Sequence, residues 1–294
     1  MILGNYKNIQ LTDEIDKANS VTHSGKFHID DVMATIFLSK IKNNVILIRV
    51  PTTENKNIEG KIVYDIGLGE FDHHQKEKNG KRKNGIYYSS IGLLWKKFGK
   101  EYLKKESAKY IEKTFEYMDE ELIQNIDAAD NMQFEYVENK ISPDFVKLCN
   151  PKWDEKISES DAFINALKLA DEFWILYLKS AISEVNATEF LKGKIENCKE
   201  KYLILNEEIP YKRAIKLYNK NIKYIILKSR REGYDIRTVT ENTLFKKELV
   251  GASSILEAAK ISKNPDLIYV DSHAKFCCTK TIKGAVKLIE FNER

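Results

Sequence analysis

Residues 45–66 read VILIRVPTTENKNIEGKIVYDI and contain two short runs of β-branched and aliphatic residues, 45–50 and 61–66. Continuous apolar runs of this length are typical of strands that are buried on both faces of a parallel sheet. Upstream, Val21 and Thr22 end another short run, and residues 32–42 carry apolar side chains at helical spacing. The order strand, helix, strand, strand predicts an α/β fold, a parallel sheet with flanking helices.

The rest of the chain predicts a helical middle and a second α/β part. Apolar residues recur at helical spacing over 91–98, 111–126 and 163–178. Strand-like runs return at 223–228, 234–239 and 267–271, with a helix-like segment, 249–260, between the last two. We therefore expect a first domain over 1–150, a helical connector over 151–205 and a smaller C-terminal α/β domain over 206–294.

The composition excludes several classes of protein. The 294 residues are 43% hydrophobic and 31% charged, which suits a soluble chain large enough for two domains. The longest apolar stretches fall far short of the ~18 residues of a membrane span, and the N-terminal residues lack the apolar segment of a secretory signal. None of the four cysteines forms a zinc or redox motif. We expect a cytoplasmic protein without a membrane partner; no heptad run indicates an oligomeric state.

Histidine is concentrated in two segments. Four of the five histidines lie in THSGKFHIDD (22–31) and FDHHQ (71–75), which also carry aspartates and follow predicted strands. Ligands of open α/β sheets bind at the carboxyl ends of strands. A single histidine or aspartate there is usually a cap, but several converging carboxylates need a neutralising charge. Imidazole and carboxylate together suit manganese, iron or zinc, so the sequence predicts a metal site.

A basic run follows the second segment directly. Residues 76–83, KEKNGKRK, carry five basic groups and one acidic group, a local charge of +4 that equals the net charge of the chain. Such a run is usually a solvated loop. The alternative is an electrostatic guide for a polyanion such as single-stranded RNA or DNA. Lys81, Arg82 and Lys83 would then contact phosphates.

Three motifs, THSGKFHIDD, VYDIGLGEFDHHQ and IDAADN, resemble the melanocyte-proliferating-gene (Myg) family of metal-dependent hydrolases in their order and spacing. The resemblance continues through YSSIGLLWKKFG (88–99), NPKWDE (150–155) and LIYVDSHAKF (267–276). That family is similar to a branch of the DHH phosphoesterase superfamily, which includes manganese inorganic pyrophosphatases and single-strand exonucleases. The resemblance therefore implies a DHH-like first domain.

The resemblance also implies a centre of two divalent metal ions. Manganese is favoured, with magnesium, cobalt or iron as alternatives. The implied metal ligands are His23, His28, Asp30, Asp65, His73 and one of Asp127 and Asp130. Asp127 is favoured because it directly follows the apolar residues at helical spacing over 111–126. His74 is expected to face the phosphate as a catalytic residue and Asp72 to orient the histidine pair, while Asp31 caps a helix or supports the ligands.

The C-terminal motif matches the family less closely. The family places a histidine four residues before a phenylalanine, whereas His273 lies three residues before Phe276. The resemblance implies that His273 and Lys275 bind substrate. Because its register is shifted, His273 either makes the family's contact from a different position or does not make it.

The function that the resemblance implies is a metal-dependent phosphodiester hydrolase, with a 3′–5′ exonuclease on RNA or single-stranded DNA favoured, that uses a water activated by two metal ions. One alternative is a phosphohydrolase of a nucleotide, dinucleotide or pyrophosphate. Another, from a different class, is a metal-binding module that catalyses nothing. The basic run distinguishes the exonuclease from the small-substrate phosphohydrolase, since only a polymer-directed enzyme needs a guide for a long polyanion.

Overall fold

A computed structural model describes residues 1–54, 56–136 and 143–294 and confirms the predicted α/β class. Tertiary contacts divide the chain into two units, Met1–Val185 and Asn186–Arg294. Each unit contains a five-stranded sheet. The division predicted from the sequence, with boundaries at 150 and 205, differs from this grouping and stays a prediction.

The first sheet carries the segments that the sequence analysis singled out. Its strands are β1 (Ile2–Tyr6), β2 (Ile9–Thr12), β3 (Ser20–His23), β4 (Val45–Val50) and β5 (Ile62–Val63). The order is β1-β2-β4-β3-β5, with β1 antiparallel to β2 and the other pairs parallel. The predicted strand at 61–66 is shortened to two residues, and Asp65, just beyond it, has a positive φ of 56°. The carboxyl ends of β3 and β5 thus lead directly into the two histidine segments.

Helices surround this sheet. They are α1 (Ile29–Ile41), α2 (Ser90–Lys105), α3 (Ile111–Met118), α4 (Gln124–Asp130) and α5 (Glu159–Glu196), which contains the boundary between the units. A π-helical turn, Asp119–Ile123, joins α3 to α4. Helix α1 is buried from Ile29 to Leu38, and the Phe37 ring lies 5.5 Å from the rings of Trp95 and Trp174. This enclosure also buries the carboxylates in the first turn of α1.

The second unit has a mixed sheet of its own. Its elements after α5 are β6 (Tyr202–Leu205), α6 (Lys212–Tyr218), β7 (Tyr224–Lys228), β8 (Tyr234–Thr238), α7 (Lys247–Val250), α8 (Ile255–Ile261), β9 (Leu267–Val270), β10 (Phe276–Thr279) and α9 (Ile282–Glu293). The strand order is β6-β7-β8-β10-β9. Only β6 and β7 pair in parallel. The described residues contain no helix that is long and apolar enough to span a membrane.

One helix prediction in this unit is wrong. Residues 249–260 do not form a single helix but belong to α7 and α8, which are separated by residues 251–254. Gly251 ends α7, and the Ser254 hydroxyl accepts a hydrogen bond from the Glu257 N–H as the N-cap of α8. Glycine and serine favour helix ends over helix interiors, which explains the break.

Candidate metal centre

Histidine and aspartate side chains from four parts of the first unit meet beyond the sheet. His23 ends β3, Asp30 and Asp31 lie in the first turn of α1, and Asp65 follows β5. The loop after Asp65 supplies Asp72, His73 and His74, and Asp130 ends α4. The parallel strands and the enclosed helix therefore deliver their polar residues to one place, as the rule for open α/β sheets predicts.

Asp65 lies at the middle of this centre. Its Oδ2 is 3.2 Å from His23 Nε2, and its Oδ1 is 3.2 Å from His73 Nε2. His73 Nε2 is in turn 3.0 Å from Asp130 Oδ2. Three groups of residues could each hold an ion: His23 with Asp31 and Asp65; Asp65 with His73 and His74; and Asp30 with His73 and Asp130. Since Asp65 and His73 each belong to two groups, the three groups form one continuous centre.

Asp31 provides a test of whether these residues suit a metal ion. Its Oδ1 accepts a hydrogen bond from the His28 N–H at 2.7 Å, but its buried Oδ2 has no hydrogen-bond partner. That oxygen lies 3.5 Å from His23 Nε2. A buried carboxylate oxygen without a partner is costly, and a cation would satisfy it. The donors are carboxylate oxygens and imidazole nitrogens without a thiolate, a set that fits divalent manganese, iron or zinc.

The protonation of the centre reflects its excess of carboxylates. Burial disfavours the charged form of His23, but its hydrogen bond to Asp65 and the charge of Asp31 outweigh burial and raise its pKa to about 9. For His73, burial is outweighed by hydrogen bonds to Asp130 and Asp65, which raise its pKa to about 11. Burial raises the pKa of Asp31 to about 7. In the metal-free protein, protons thus supply the positive charge that a bound cation would bring.

Asp30 is held by the start of α2. Its carboxylate accepts hydrogen bonds from the Ser89 hydroxyl at 2.6 Å and from the N–H groups of Ser90 and Ile91 at 2.9 and 2.7 Å. Burial and the nearby charge of Asp130 raise its pKa. The first helical N–H groups have no partner within a helix, so Asp30 satisfies two of them while its orientation is fixed.

Asp72 makes the contact that an orienting role requires. Its Oδ1 lies 2.7 Å from His74 Nδ1, and its Oδ2 accepts a hydrogen bond from the Leu68 N–H at 2.6 Å. The His74 side chain is exposed, and its ring centroid lies 4.3 Å from that of His73. His74 is therefore positioned either to face a bound phosphate or to join Asp65 and His73 around an ion.

Asn131 is a site residue that the sequence analysis missed. Its amide nitrogen donates to the carbonyls of Asp127 and Tyr87, so its oxygen faces His73 Nδ1 at 3.2 Å. The Nδ1–H of His73 can then donate to Asn131, which in a neutral ring leaves the Nε2 lone pair for a metal. The signal in the sequence is that Asn131 directly follows Asp130 and ends the IDAADN motif.

The structure does not bring Asp127 to the centre. Its buried carboxylate accepts a hydrogen bond from the Ser89 N–H, lies 2.6 Å from the Ser89 hydroxyl and pairs with the guanidinium of Arg82. Burial raises the pKa of Asp127 to about 6 despite this pair. A Cβ atom at Gly92 would clash with the same carboxylate, so only glycine fits there. Of the two predicted alternatives, Asp130 is the one that approaches His73.

Arg82 is likewise placed differently from the expectation of a phosphate contact. Its buried guanidinium pairs with Asp119 and Asp127, while Lys81 and Lys83 are exposed. The reason is a local hairpin. In it the Arg82 N–H donates to the Ile86 carbonyl, and the backbones of Lys81 and Tyr87 form an antiparallel β-bridge. Alternate side chains of such a segment point to opposite sides, so the three basic residues cannot act together.

Three further predicted residues lie outside the three groups. His28 precedes α1 as its N-cap residue and lines the cleft into which the centre opens. His273 and Lys275 belong to the second unit. His273 Nδ1 lies 3.4 Å from Asp271 Oδ1, and the Lys275 ammonium donates to the carbonyls of Thr240 and Glu241.

The centre opens into a cleft of about 610 Å³. Its lining contains His23, Asp65, His73, His74 and Asp130 together with Lys78, Leu68 and Met132. These five donor residues are therefore accessible to a ligand from outside, as a catalytic metal site requires, while Asp30 and Asp31 lie buried behind them.

The fold and this centre define an α/β protein whose histidine and aspartate residues fit divalent cations in an open cleft. The chain belongs to the MYG1 family: the family model MYG1_exonuc, described as an uncharacterised protein family (UPF0160), matches residues 19–291. The resemblance to the Myg family is thereby confirmed.

Named relatives cover part of the chain. The MYG1 protein C694.04c of Schizosaccharomyces pombe is 25% identical over 222 residues, which make up 65% of this chain and 68% of that protein. The MYG1 protein YER156C of Saccharomyces cerevisiae is 27% identical over 199 residues, 58% of each chain. A solved structure of a pGpG-specific phosphodiesterase, PggH from Vibrio, covers 94% of this chain and 99% of its own at 13% identity. Its TM-score of 0.34 is too low to support an argument about function.

Proposed function

We propose that this protein is a metal-dependent phosphodiester hydrolase, with a 3′–5′ exonuclease acting on RNA or single-stranded DNA as the favoured form. The observation that carries the proposal is the Asp65 carboxylate, which lies 3.2 Å from both His23 and His73 through different oxygens. A carboxylate shared in this way can connect two neighbouring cation sites. The name of the family, MYG1_exonuc, supports the same class of reaction.

The residues divide into two ligand sets around Asp65. His23 and Asp31 would complete one set, and Asp30, His73 and Asp130 the other, with manganese as the favoured metal. Bound divalent ions would lower the pKa of a water molecule and neutralise charge on the phosphoryl oxygens. Asn131 and Asp72 hold the rings of His73 and His74 in place. The exposed His74 ring can donate a hydrogen bond to a phosphate oxygen, and the ammonium of Lys78 adds positive charge to the same cleft.

The substrate contacts are the less defined part of the proposal. Lys81 and Lys83 are exposed and free of the buried pairs that occupy Arg82, so these two lysines are the proposed phosphate contacts of the basic run. His273 and Lys275 stay proposals for substrate binding by the second unit. A small substrate such as a dinucleotide or pyrophosphate is the second candidate, because only two of the three expected basic contacts are exposed.

The test is hydrolysis by metal-free protein resupplied with manganese, magnesium or zinc. The substrates are a 5′-labelled RNA 20-mer, the matching DNA, a dinucleotide and pyrophosphate. We expect manganese to restore a ladder of shortened polymer, and Asp65→Asn to lower the rate by more than about a hundredfold, beyond the effect of losing a residue that only supports a ligand. Asp16→Asn changes an exposed aspartate outside the centre and should leave the rate unchanged.

The remaining outcomes are equally informative. Cleavage of only the dinucleotide or pyrophosphate would replace the exonuclease with a small-substrate phosphohydrolase. No cleavage with any metal, together with a higher melting temperature in manganese, would indicate a metal-binding module and reject the hydrolase.

A further inference from the structure

The cleft concentrates an uncommon backbone conformation. Eight non-glycine residues in the described ranges have positive φ angles, and four of them line this one cleft: Asp65, Leu68, Lys78 and Met132. This left-handed conformation is unfavourable for residues with a Cβ atom, and residues held in it often cluster at functional sites. Asp65 is a candidate metal ligand and Lys78 a cation, whereas Leu68 and Met132 are apolar and need a different explanation.

Leu68 lies between two glycines, Gly67 and Gly69, with a φ of 56°. The Leu68 N–H donates to Asp72 Oδ2 at 2.6 Å, which ties the turn to the carboxylate that also contacts His74. Glycine would adopt this conformation without strain. A leucine is present instead, and it is 63% exposed, so its side chain adds little to the protein core.

Met132 occupies a comparable position two residues after α4. Its φ is 57°, its N–H donates to the Ala129 carbonyl, and the N–H of Gln133 donates to the Ala128 carbonyl. Helices that end in this way usually place glycine at the left-handed residue. Met132 is 78% exposed, so burial does not explain the choice of a long apolar side chain here either.

We propose that Leu68 and Met132 form an apolar subsite that binds the base of a nucleotide whose phosphate lies at the metal centre. The position of that phosphate rests on the proposed function. Both side chains line the same cleft as the histidine and aspartate donors, and a nucleobase is the flat apolar part of a phosphodiester substrate that they could cover. Methionine sulfur also makes favourable contacts with aromatic rings. The substrate class is then a nucleoside phosphoester rather than an inorganic polyphosphate.

The test compares two ligands that differ only in the base, AMP and ribose 5-phosphate. Their dissociation constants are measured by calorimetry on the manganese-loaded protein. We expect AMP to bind at least about fivefold more tightly, because covering part of the base removes apolar surface from water. In Leu68→Asn and Met132→Asn, asparagine tolerates the left-handed conformation but removes the apolar surface. The affinity ratio should fall towards one in both variants, while the affinity for ribose 5-phosphate is unchanged.

Ser107→Asn is the matched control, because Ser107 is exposed and has a φ of 58° but does not line the cleft. Its affinity ratio should equal that of the unmodified protein. The subsite is rejected if AMP binds no more tightly than ribose 5-phosphate, or if the variants lose affinity for both ligands alike. These measurements need no turnover. If the protein binds AMP preferentially but hydrolyses nothing, the subsite stands and only the proposed hydrolase is rejected.

Discussion

At the scale of single residues, Arg82 connects the basic hairpin to the carboxylates behind the candidate metal centre. Its guanidinium pairs with Asp127, whose carboxylate lies 2.6 Å from the Ser89 hydroxyl, and the same hydroxyl lies 2.6 Å from Asp30. A chain of buried polar contacts thus runs from Arg82 to Asp30. Each member of such a network is costly to leave without its partner.

We therefore predict that Arg82→Ala destabilises the metal-free protein by about 3 kcal/mol, because Asp127 would remain buried without its cation. Lys83→Ala, from the same basic run, should change the free energy of unfolding by less than about 0.5 kcal/mol since that side chain is exposed. Urea denaturation of both variants measures the difference. Equal, small effects would mean that Arg82 is free to contact a substrate after all.

The same scale shows which parts of the site could be predicted from the sequence. His23 ends β3, Asp65 follows β5 and His73 lies in the next loop, so local motifs were enough to place them near one another. The choice between Asp127 and Asp130 depended on extending one helical period through 111–126. That period holds, since Leu122, Ile126 and Asp127 are all buried, but the Asp127 carboxylate is occupied by Ser89 and Arg82. Asp130 approaches His73 instead. These partners lie far apart in the sequence, so the apolar pattern of the helix does not reveal them.

At the scale of elements, Asp171 anchors α5 to the start of the chain and to α1. Its carboxylate accepts a hydrogen bond from the Tyr6 hydroxyl at 3.0 Å and pairs with Lys7 and Lys40. Burial would raise the pKa of Asp171, but hydrogen bonds from Lys40 and Lys7 outweigh burial and lower it. A carboxyl with a lowered pKa stabilises the folded state above the unfolded pKa of about 4 and loses this contribution as the pH falls.

Asp171→Asn should accordingly lower the free energy of unfolding by about 2 kcal/mol at pH 7, the effect of breaking a partly buried ion-pair cluster. The difference from the unmodified protein should shrink as the pH falls below about 4, because Asp171 of the unfolded chain takes up a proton at a higher pH than Asp171 of the folded protein. Glu172→Gln, at the exposed neighbouring position, provides the control. A difference that persists unchanged at pH 3 would point to packing rather than charge.

Elements were predictable where the sequence carries a strong apolar period. The strands β4, β7, β8 and β9 were expected at their observed positions because each has an aliphatic or β-branched run. Strands β1, β2, β6 and β10 were not predicted, and β1 and β10 were missed for different reasons. Strand β1, ILGNY, is largely exposed and mixes glycine and asparagine with apolar residues, while β10, FCCT, contains two cysteines in place of β-branched residues. Pairing with neighbouring strands decides their conformation, and a single segment does not reveal its partners.

At the scale of the whole molecule, the two units should respond differently to metal. All three candidate donor groups in the described residues lie within Met1–Val185. A ligand stabilises the parts of a protein whose opening would disrupt its site. The second unit has separate hydrophobic clusters around Tyr224, Ile236 and Leu203.

We predict that manganese added to the metal-free protein slows amide hydrogen exchange in the first unit, over 20–31 and 62–74, by at least about tenfold, as a binding energy of about 1.4 kcal/mol would give. Exchange in β7 and β8 should be unchanged. Mass spectrometry of proteolytic peptides reads both regions in one experiment. Slower exchange in β7 and β8 to the same extent would show that metal stabilises the chain as a single cooperative body.

The shortness of β5 has a consequence beyond the position of Asp65. Strand β5 is an outer strand of the first sheet, and it pairs with β3 over only two residues before the chain turns away. A long, flat outer strand can recruit a strand from another molecule and start aggregation, and natural proteins shorten such strands to prevent this. The turn that supplies a candidate metal ligand thus also removes the template on which a foreign strand could assemble.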